Sequence, residues 1–323
     1  MEPALSAKNL AIGYEKGNLL FESVNLSLYK GQLVCFMGPN GIGKSTLIRT
    51  LAGLQKPVAG MVSGTGSKKI AVVLTDQVAK GMMTVRDLVS YGRYPYLNWS
   101  VKMEAADQAI INEVIDKVHL GRLIERPLIE LSDGQLQMAL IARALAQDTP
   151  VLLLDEPTAH LDLNNRVEIM GILRTLARKN NKAVLIATHE LDLALQTADL
   201  IWLATHHKSI HCGIPEDLVL DGSFDEVFRL KGFDLKTGKI LQQPFRKVTI
   251  QLQGDGPVYL WTKNALERNG YRVGENPDIT VAISSTDPPG WKLIQKEITC
   301  SAGSIGQLLM ELNKGRLFHI TDP

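Results

Sequence analysis

The chain has 323 residues, 45% of them hydrophobic, a formal net charge of +1 at pH 7 and three cysteines. On about 150 residues per domain the length predicts two domains, and the apolar content excludes a disordered chain. The near-zero charge excludes the basic stripe of a nucleic-acid binder, since Lys68-Lys69 and Lys179–Lys182 are short, interrupted clusters. Cys35, Cys212 and Cys300, odd in number and far apart, fit a reducing cytosol rather than a disulfide framework.

The elements follow in order. Met1–Asn9 lacks a basic segment leading into an apolar core, so no secretory signal is expected. No run reaches the ~20 apolar residues that cross a bilayer, so any membrane role passes through another protein. Leu33–Met37 reads as a short apolar strand, Thr46–Ala52 as a helix closed by Gly53, and Lys69–Leu74 as a further strand. Between Thr84 and Asp148 strand character vanishes. There Met103, Ala106, Ile110, Val114 and Val118 recur at helical steps and predict one buried face. Strands return at Val151–Leu154 and Ala183–Ala187, separated by an amphipathic helix over Asn165–Lys179. This alternation is that of an α/β domain with a largely parallel sheet, interrupted by a helical insert.

Near Gln242–Phe245 the pattern changes. Lys247–Leu252 alternates like a strand, Trp261–Arg268 is helical, Ile279–Ser284 and Trp291–Thr299 read as two extended segments, and Ser304–Asn313 is helical. This predicts a small α+β module of βαββα order. It holds no catalytic constellation, and Asp255, Lys263, Glu267 and Arg272 fit a solvated face as well as a site.

Three stretches carry chemistry. Gly38-Pro39-Asn40-Gly41-Ile42-Gly43-Lys44-Ser45 fits the phosphate-binding loop, with a strand before it and a helix after it. Its glycines let backbone N–H groups curl toward phosphate oxygens, and the helix N-terminus adds partial positive charge. Lys44 is placed to bridge β- and γ-phosphates, and Ser45 to offer its hydroxyl to Mg²⁺. Val151-Leu152-Leu153-Leu154-Asp155-Glu156 ends an apolar strand in two carboxylates, at the edge where open α/β sheets collect ligands. Asp155 would hold Mg²⁺ through water, and Glu156 would polarise the attacking water.

The third stretch is Leu131-Ser132-Asp133-Gly134-Gln135. Ser132 and Gln135 form an S-x-x-Q capping box, and Asp133 suits the positive end of a helix. Gly134 costs a helix up to ~1 kcal/mol relative to Ala. It calls for close backbone approach to something, and a phosphate at this second helix N-terminus would justify it.

Together the phosphate loop, this pentapeptide followed by Ala142-Arg143-Ala144-Leu145-Ala146, and Leu153-Leu154-Asp155-Glu156-Pro157-Thr158 resemble the ATP-binding-cassette ATPases over about Leu5–Phe228. The resemblance implies a P-loop NTPase core over 1–240, with an antiparallel β subdomain and a helical subdomain at about 82–148, and leaves 245–323 as a separate α+β domain of unassigned role. It implies a head-to-tail homodimer in which Ser132 and Gly134 of one subunit close over the γ-phosphate held by Lys44 of the other. His189 becomes the γ-phosphate-sensing switch histidine, Asp162 in Ala159-His160-Leu161-Asp162 part of the inter-subunit loop, and Tyr14 the aromatic stacked on adenine. The ATP-binding set is then Tyr14, Gly38, Pro39, Asn40, Gly41, Ile42, Gly43, Lys44, Ser45, Thr46, Ser132, Gly134, Gln135 and Asp162, with Glu156, His189 and Lys44 catalytic and Ser45, Asp155 and Gln77 toward Mg²⁺. Gln77 is the glutamine-loop candidate; counting back from Met83-Thr84-Val85 lands instead near Thr75, and Asp76 is a possible substitute.

Asp133, where the commonest family form has Gly, is associated with the ATPases of siderophore, haem and vitamin B12 importers. Ser90-Tyr91-Gly92-Arg93-Tyr94-Pro95-Tyr96-Leu97-Asn98-Trp99 is dense in aromatics whose simplest reading is local packing. It also resembles a Gly-Arg-x-Pro-Tyr stretch of the metal-chelate importer ATPases on the permease side of the cassette, which singles out Arg93. The expected function is ATP hydrolysis that energises uptake of an iron-siderophore, haem or cobalamin. The chain would work at the cytoplasmic face through a membrane permease, with a substrate-binding protein as an indirect partner. The alternative is a soluble cassette ATPase acting on ribosomes, DNA or cofactor assembly, against which stand the single phosphate loop and the lack of a basic tract.

Overall fold

Leu33–Met37, Val151–Asp155 and Ala183–Ala187 are each buried at all five positions. Such runs leave no solvent face and belong inside a parallel sheet covered on both sides. In the computed structural model of the protein the described residues are 2–15, 18–66, 68–74, 81–99, 102–159, 161–229, 232–240, 244–284, 288–295 and 298–314. They fall in two units, Met1–Arg229 and Leu230–Pro323.

The first unit opens with strands β1 (Leu5–Glu15), β2 (Asn18–Leu28) and β3 (Leu33–Met37), then helix α1 (Lys44–Leu51). Strands β4 (Ala59–Ser63) and β5 (Ile70–Val73) lead into helices α2 (Val85–Ser90), α3 (Ala105–Lys117) and α4 (Asp133–Ala146). Next come β6 (Val151–Asp155), α5 (Leu163–Asn180), β7 (Ala183–Ala187) and α6 (Leu191–Thr197). The unit closes with β8 (Leu200–Ala204), β9 (Ile210–Gly213), α7 (Pro215–Leu220) and α8 (Ser223–Phe228).

The main sheet has the order β5-β6-β7-β3-β8-β9, parallel except for its last pair. A second sheet, β2-β1-β4, is antiparallel. Its Leu10, Ile12 and Phe21 share one apolar core with Val34, Phe36, Leu47 and Leu153, which locks the phosphate-loop strand and α1 against it. The helical insert is present, and its buried face overlaps the predicted one: Val114 and Val118 are buried and Met103 and Ile110 half-buried. Asp107, Ile111, Val114 and Ile115 of α3 are buried, while Ala106 is exposed.

Asp107 joins that face through an ion pair that apolar periodicity cannot register. Arg93, in a 3-10 turn at Tyr91–Tyr96, donates from Nε to Asp107 Oδ1 at 2.9 Å and from Nη1 to the Ala146 carbonyl at 3.0 Å. Its guanidinium lies 4.1 Å from the Tyr96 ring centre. A Cβ on Gly92 would meet the Arg143 carbonyl at 2.2 Å, so this turn rests directly on α4. Arg93, singled out as a permease-side residue, is therefore an internal tie between the insert's segments. Among the described residues no helix is long and apolar enough to cross a membrane.

The second unit contains the short pair β10 (Phe233–Asp234) and β11 (Lys239–Ile240), then β12 (Thr249–Gln253), α9 (Gly256–Arg268), β13 (Arg272–Val273) and β14 (Ile279–Ile283). β15 (Trp291–Gln295), β16 (Ile298–Ala302) and α10 (Ile305–Asn313) complete it. Its sheet runs β13-β12-β14-β15-β16, and Ile250, Val281 and Leu293 pack with Leu266, Leu308 and Leu312. The segment Trp291–Thr299, read as one extended piece, is two antiparallel strands paired at Gln295 and Ile298. Lys296-Glu297 between them carries none of the Gly, Asn or Asp residues that flag a hairpin turn.

The Arg93 guanidinium, with the Glu104 backbone N–H, holds the Asp107 carboxyl below the usual carboxylate range. A depressed folded-state value stabilises above the unfolded pKa and is lost as pH falls through the folded one. Both side chains are about nine-tenths buried, so Arg93→Met or Asp107→Asn should cost about 2–4 kcal/mol near pH 7 in chemical denaturation. The gap between wild type and Asp107→Asn should narrow below about pH 4; a gap constant with pH would remove the ion pair as its cause.

Candidate functional site

The loop between β3 and α1 is shaped by its glycines. Gly41 and Gly43 have φ of +79° and +108°, a region that side chains disfavour. A Cβ on Gly43 would also lie 2.9 Å from Leu20 Cδ1, so the loop rests on β2. Gly43 is the N-cap of α1 and supplies no side-chain cap, and the first turn holds no acidic residue. Its orphan N–H groups, with the helix dipole behind them, are suited to an anion. Asn40 and Ser45 are exposed, Gly38 and Thr46 are buried, and Pro39 and Ile42 lie between.

Lys44 is buried, and its Nζ donates to the carbonyls of Gly38 at 3.1 Å and Pro39 at 3.3 Å. Burial pushes the ammonium below its ordinary pKa, while the Glu156 and Asp155 carboxylates pull it back up. Glu156 joins two of the predicted catalytic groups, with Oε1 4.0 Å from Lys44 Nζ and Oε2 3.4 Å from His189 Nδ1. It adopts φ +46°, an uncommon conformation for a side-chain-bearing residue. Hydrogen bonds from its N–H to the Ala187 carbonyl (2.8 Å) and from Ala159 N–H to its own carbonyl (3.1 Å) fix it there. Backbone held this way concentrates at functional sites.

Asp155, 1% exposed at the end of β6, and the exposed Ser45 both offer hard oxygen donors of the kind Mg²⁺ takes. That ion takes one or two protein ligands and fills its shell with water and substrate phosphates.

The signature pentapeptide forms the predicted capping box. Ser132 Oγ accepts from Gln135 N at 3.3 Å, and Gln135 Oε1 accepts from Ser132 N at 3.1 Å. No hydrogen bond or ion pair of Ser132, Gly134 or Gln135 reaches Lys44, Glu156 or His189 among the described residues. Gly134 has a partner that sequence reasoning missed: an added Cβ would lie 2.8 Å from Asn165 Nδ2. Within the chain its close approach is therefore to an amide side chain. Asp162, the N-cap of α5, grips Asn165 twice, accepting from its N–H and its Nδ2, both at 2.9 Å. The Asp162-x-x-Asn165 spacing is itself a helix-start signal, but nothing local in the sequence connects it to Gly134. The Tyr14 side chain and Gln77, with Thr75, Asp76 and His160, lie outside the described residues.

Residues 21–159 match the family described as ABC transporter, and residues 247–313 match the Iron ABC transporter C-terminal domain. The chain is 40% identical over 239 residues to an uncharacterised ABC transporter ATP-binding protein of Methanocaldococcus jannaschii, covering 70% of this chain and 82% of that one. It is 35% identical to the achromobactin transport ATP-binding protein CbrD of Dickeya dadantii, covering 70% and 88%. A solved transporter described as metal-chelate type, in an inward-facing conformation, superposes with TM-score 0.65 at 31% identity, over 70% of this chain and 89% of that one.

The Gly134–Asn165 contact yields a stability test. Ala favours a helix over Gly by up to ~1 kcal/mol, but here its methyl must displace a doubly held amide. Gly134→Ala should therefore destabilise by about 1 kcal/mol in the wild-type background and become neutral or stabilising beside Asn165→Ala. Equal effects in the two backgrounds, by chemical denaturation, would rule out Asn165 as the reason for glycine.

Proposed function

The chain belongs to the ATP-binding-cassette transporter ATPases, and on that premise we propose that it is the ATP-hydrolysing subunit of an importer that takes up an iron chelate through a partner membrane permease. The observation that carries the catalytic reading is the Glu156 carboxylate, set between the Lys44 ammonium and the His189 imidazole. In the proposed reaction the loop 38–46 cradles the phosphates with its N–H groups, and Lys44 neutralises the β- and γ-oxygens. Ser45 and Asp155 hold Mg²⁺, which when bound offsets charge on the transferring phosphoryl group, with Gln77 a further contact. Glu156 polarises the attacking water and His189 faces the γ-phosphate. Catalysis on this scheme is positioning and electrostatics.

Ser132 and Gly134, whose contacts within the chain do not reach Lys44, are proposed to complete the site of a second copy. The active form is then a homodimer, with Asp162 in the contact and Tyr14 on adenine. The iron-chelate assignment is supported by the match of residues 247–313 to an iron transporter C-terminal domain and by the achromobactin relative. On the helical insert a groove of about 580 Å³ beside Arg86, Ser90, Tyr91, Tyr94 and Met103 is the proposed seat of the permease, with Tyr91 and Tyr94 edge-to-face at 4.7 Å. The cassette then sits at the cytoplasmic face of the membrane.

Glu156→Gln should bind ATP and dimerise yet turn over about 10²–10⁴-fold more slowly. Unchanged turnover would remove Glu156 from catalysis. In cells whose only copy carries Lys44→Ala, uptake of labelled iron-siderophores should stop while haem and cobalamin uptake persist; loss of either of the latter instead would reassign the cargo.

A further inference from the structure

Glu190, next to His189, is a carboxylate in an unusual setting. It occupies the N-cap of α6, yet its side chain makes no cap hydrogen bond, although acidic groups are favoured at that end of a helix. It is turned inward instead, 10% exposed, with Oε1 3.3 Å from Arg166 Nη1, an ion pair that lacks hydrogen-bond geometry. A carboxylate removed from water needs a partner of this kind. Its backbone is held as well: the N–H donates to Thr188 Oγ1 at 3.0 Å, and the carbonyl accepts from Ala194 N at 3.1 Å. Thr188 is itself buried, at 3% exposure. The two residues flanking His189 are thus fixed, while the imidazole remains about half exposed and directed at Glu156.

Arg166 works in a second direction too. Its Nε donates to the Leu161 carbonyl at 2.6 Å, and its N–H closes the first turn of α5 on the Asp162 carbonyl at 3.0 Å. One guanidinium therefore ties the segment carrying His189 to the loop carrying Asp162. An arginine suits the task because Nε can donate to the Leu161 carbonyl while the delocalised charge faces Glu190, whereas a lysine is a single point charge.

We infer that Arg166 is a positioning residue for ATP hydrolysis: through Glu190 it sets His189 against Glu156, and through the Leu161 carbonyl it makes that setting depend on the seating of the Asp162 loop. This rests on the proposed ATPase mechanism and adds to it a residue that touches neither nucleotide nor water. A merely structural ion pair would show in stability and leave turnover per folded molecule unchanged.

The test is steady-state ATPase of the full purified chain, with wild type and Glu156→Gln in the same assay. Arg166→Met should lower kcat about tenfold, equivalent to about 1.4 kcal/mol in the barrier, with KM for ATP within about twofold. Arg166→Lys should recover part of the loss, since it keeps the charge and loses the separate Nε donor. Glu190→Gln should reproduce the kcat loss, and the double variant Arg166→Met/Glu190→Gln should be no slower than the slower single. Should Arg166→Met fail to fold, Arg166→Lys and Glu190→Gln carry the test. An unchanged kcat in both, or losses that multiply in the double variant, would overturn the assignment. A wild-type chain that hydrolyses no ATP would instead defeat the ATPase mechanism itself.

Discussion

The site depends on one carboxylate held where the backbone would not otherwise put it. Glu156 leaves β6 in a left-handed conformation, pinned by hydrogen bonds to Ala187 and from Ala159, and from there reaches Lys44 and His189 at once. Parallel pairing supplies the geometry. Asp155 and Phe36 both pair with Ala187 across neighbouring strands, so the phosphate loop, the acidic strand end and the histidine segment leave the sheet at one edge. Because side chains alternate with period two, a one-residue slip in any of these pairings would turn the strand's side chains to the opposite face. β3, β6 and β7 are buried on both faces, so what such a slip would misplace is the functional residues at their ends.

Legibility in the sequence followed how local each feature is. The phosphate loop, the two carboxylates after an apolar run and the Ser132–Gln135 cap are contiguous signals, and their placements in the structure follow from strand, turn and helix rules. The Arg93–Asp107 pair was hidden because it joins residues 14 apart through the packing of a turn on α3. It adds Asp107 to an α3 face that is otherwise apolar at helical spacing, and makes an internal tie of a residue read as facing a permease. Asn165 and Arg166 lie in the first turn of α5 and look in sequence like solvated helix-start residues. Their meaning comes from Gly134 and Glu190, which the fold brings to them.

Gly134 shows how a residue can satisfy two demands. A second helix N-terminus inviting a phosphate and an amide side chain under the helix both require the absence of a Cβ. The second demand is met inside a single copy of the chain. Asp162 holds the amide that Gly134 abuts, and Arg166 holds the loop that carries Asp162, so the signature helix and the histidine segment share the first turn of α5 as a common support.

If Lys44, Glu156 and His189 act as one catalytic unit, that is most directly tested by a double-mutant cycle on kcat between Glu156→Gln and His189→Ala. Each single variant should lose about 10²-fold or more, and the double variant should be no slower than the slower single. Losses that multiply would contradict a shared unit and leave the Glu156–His189 proximity without a catalytic role.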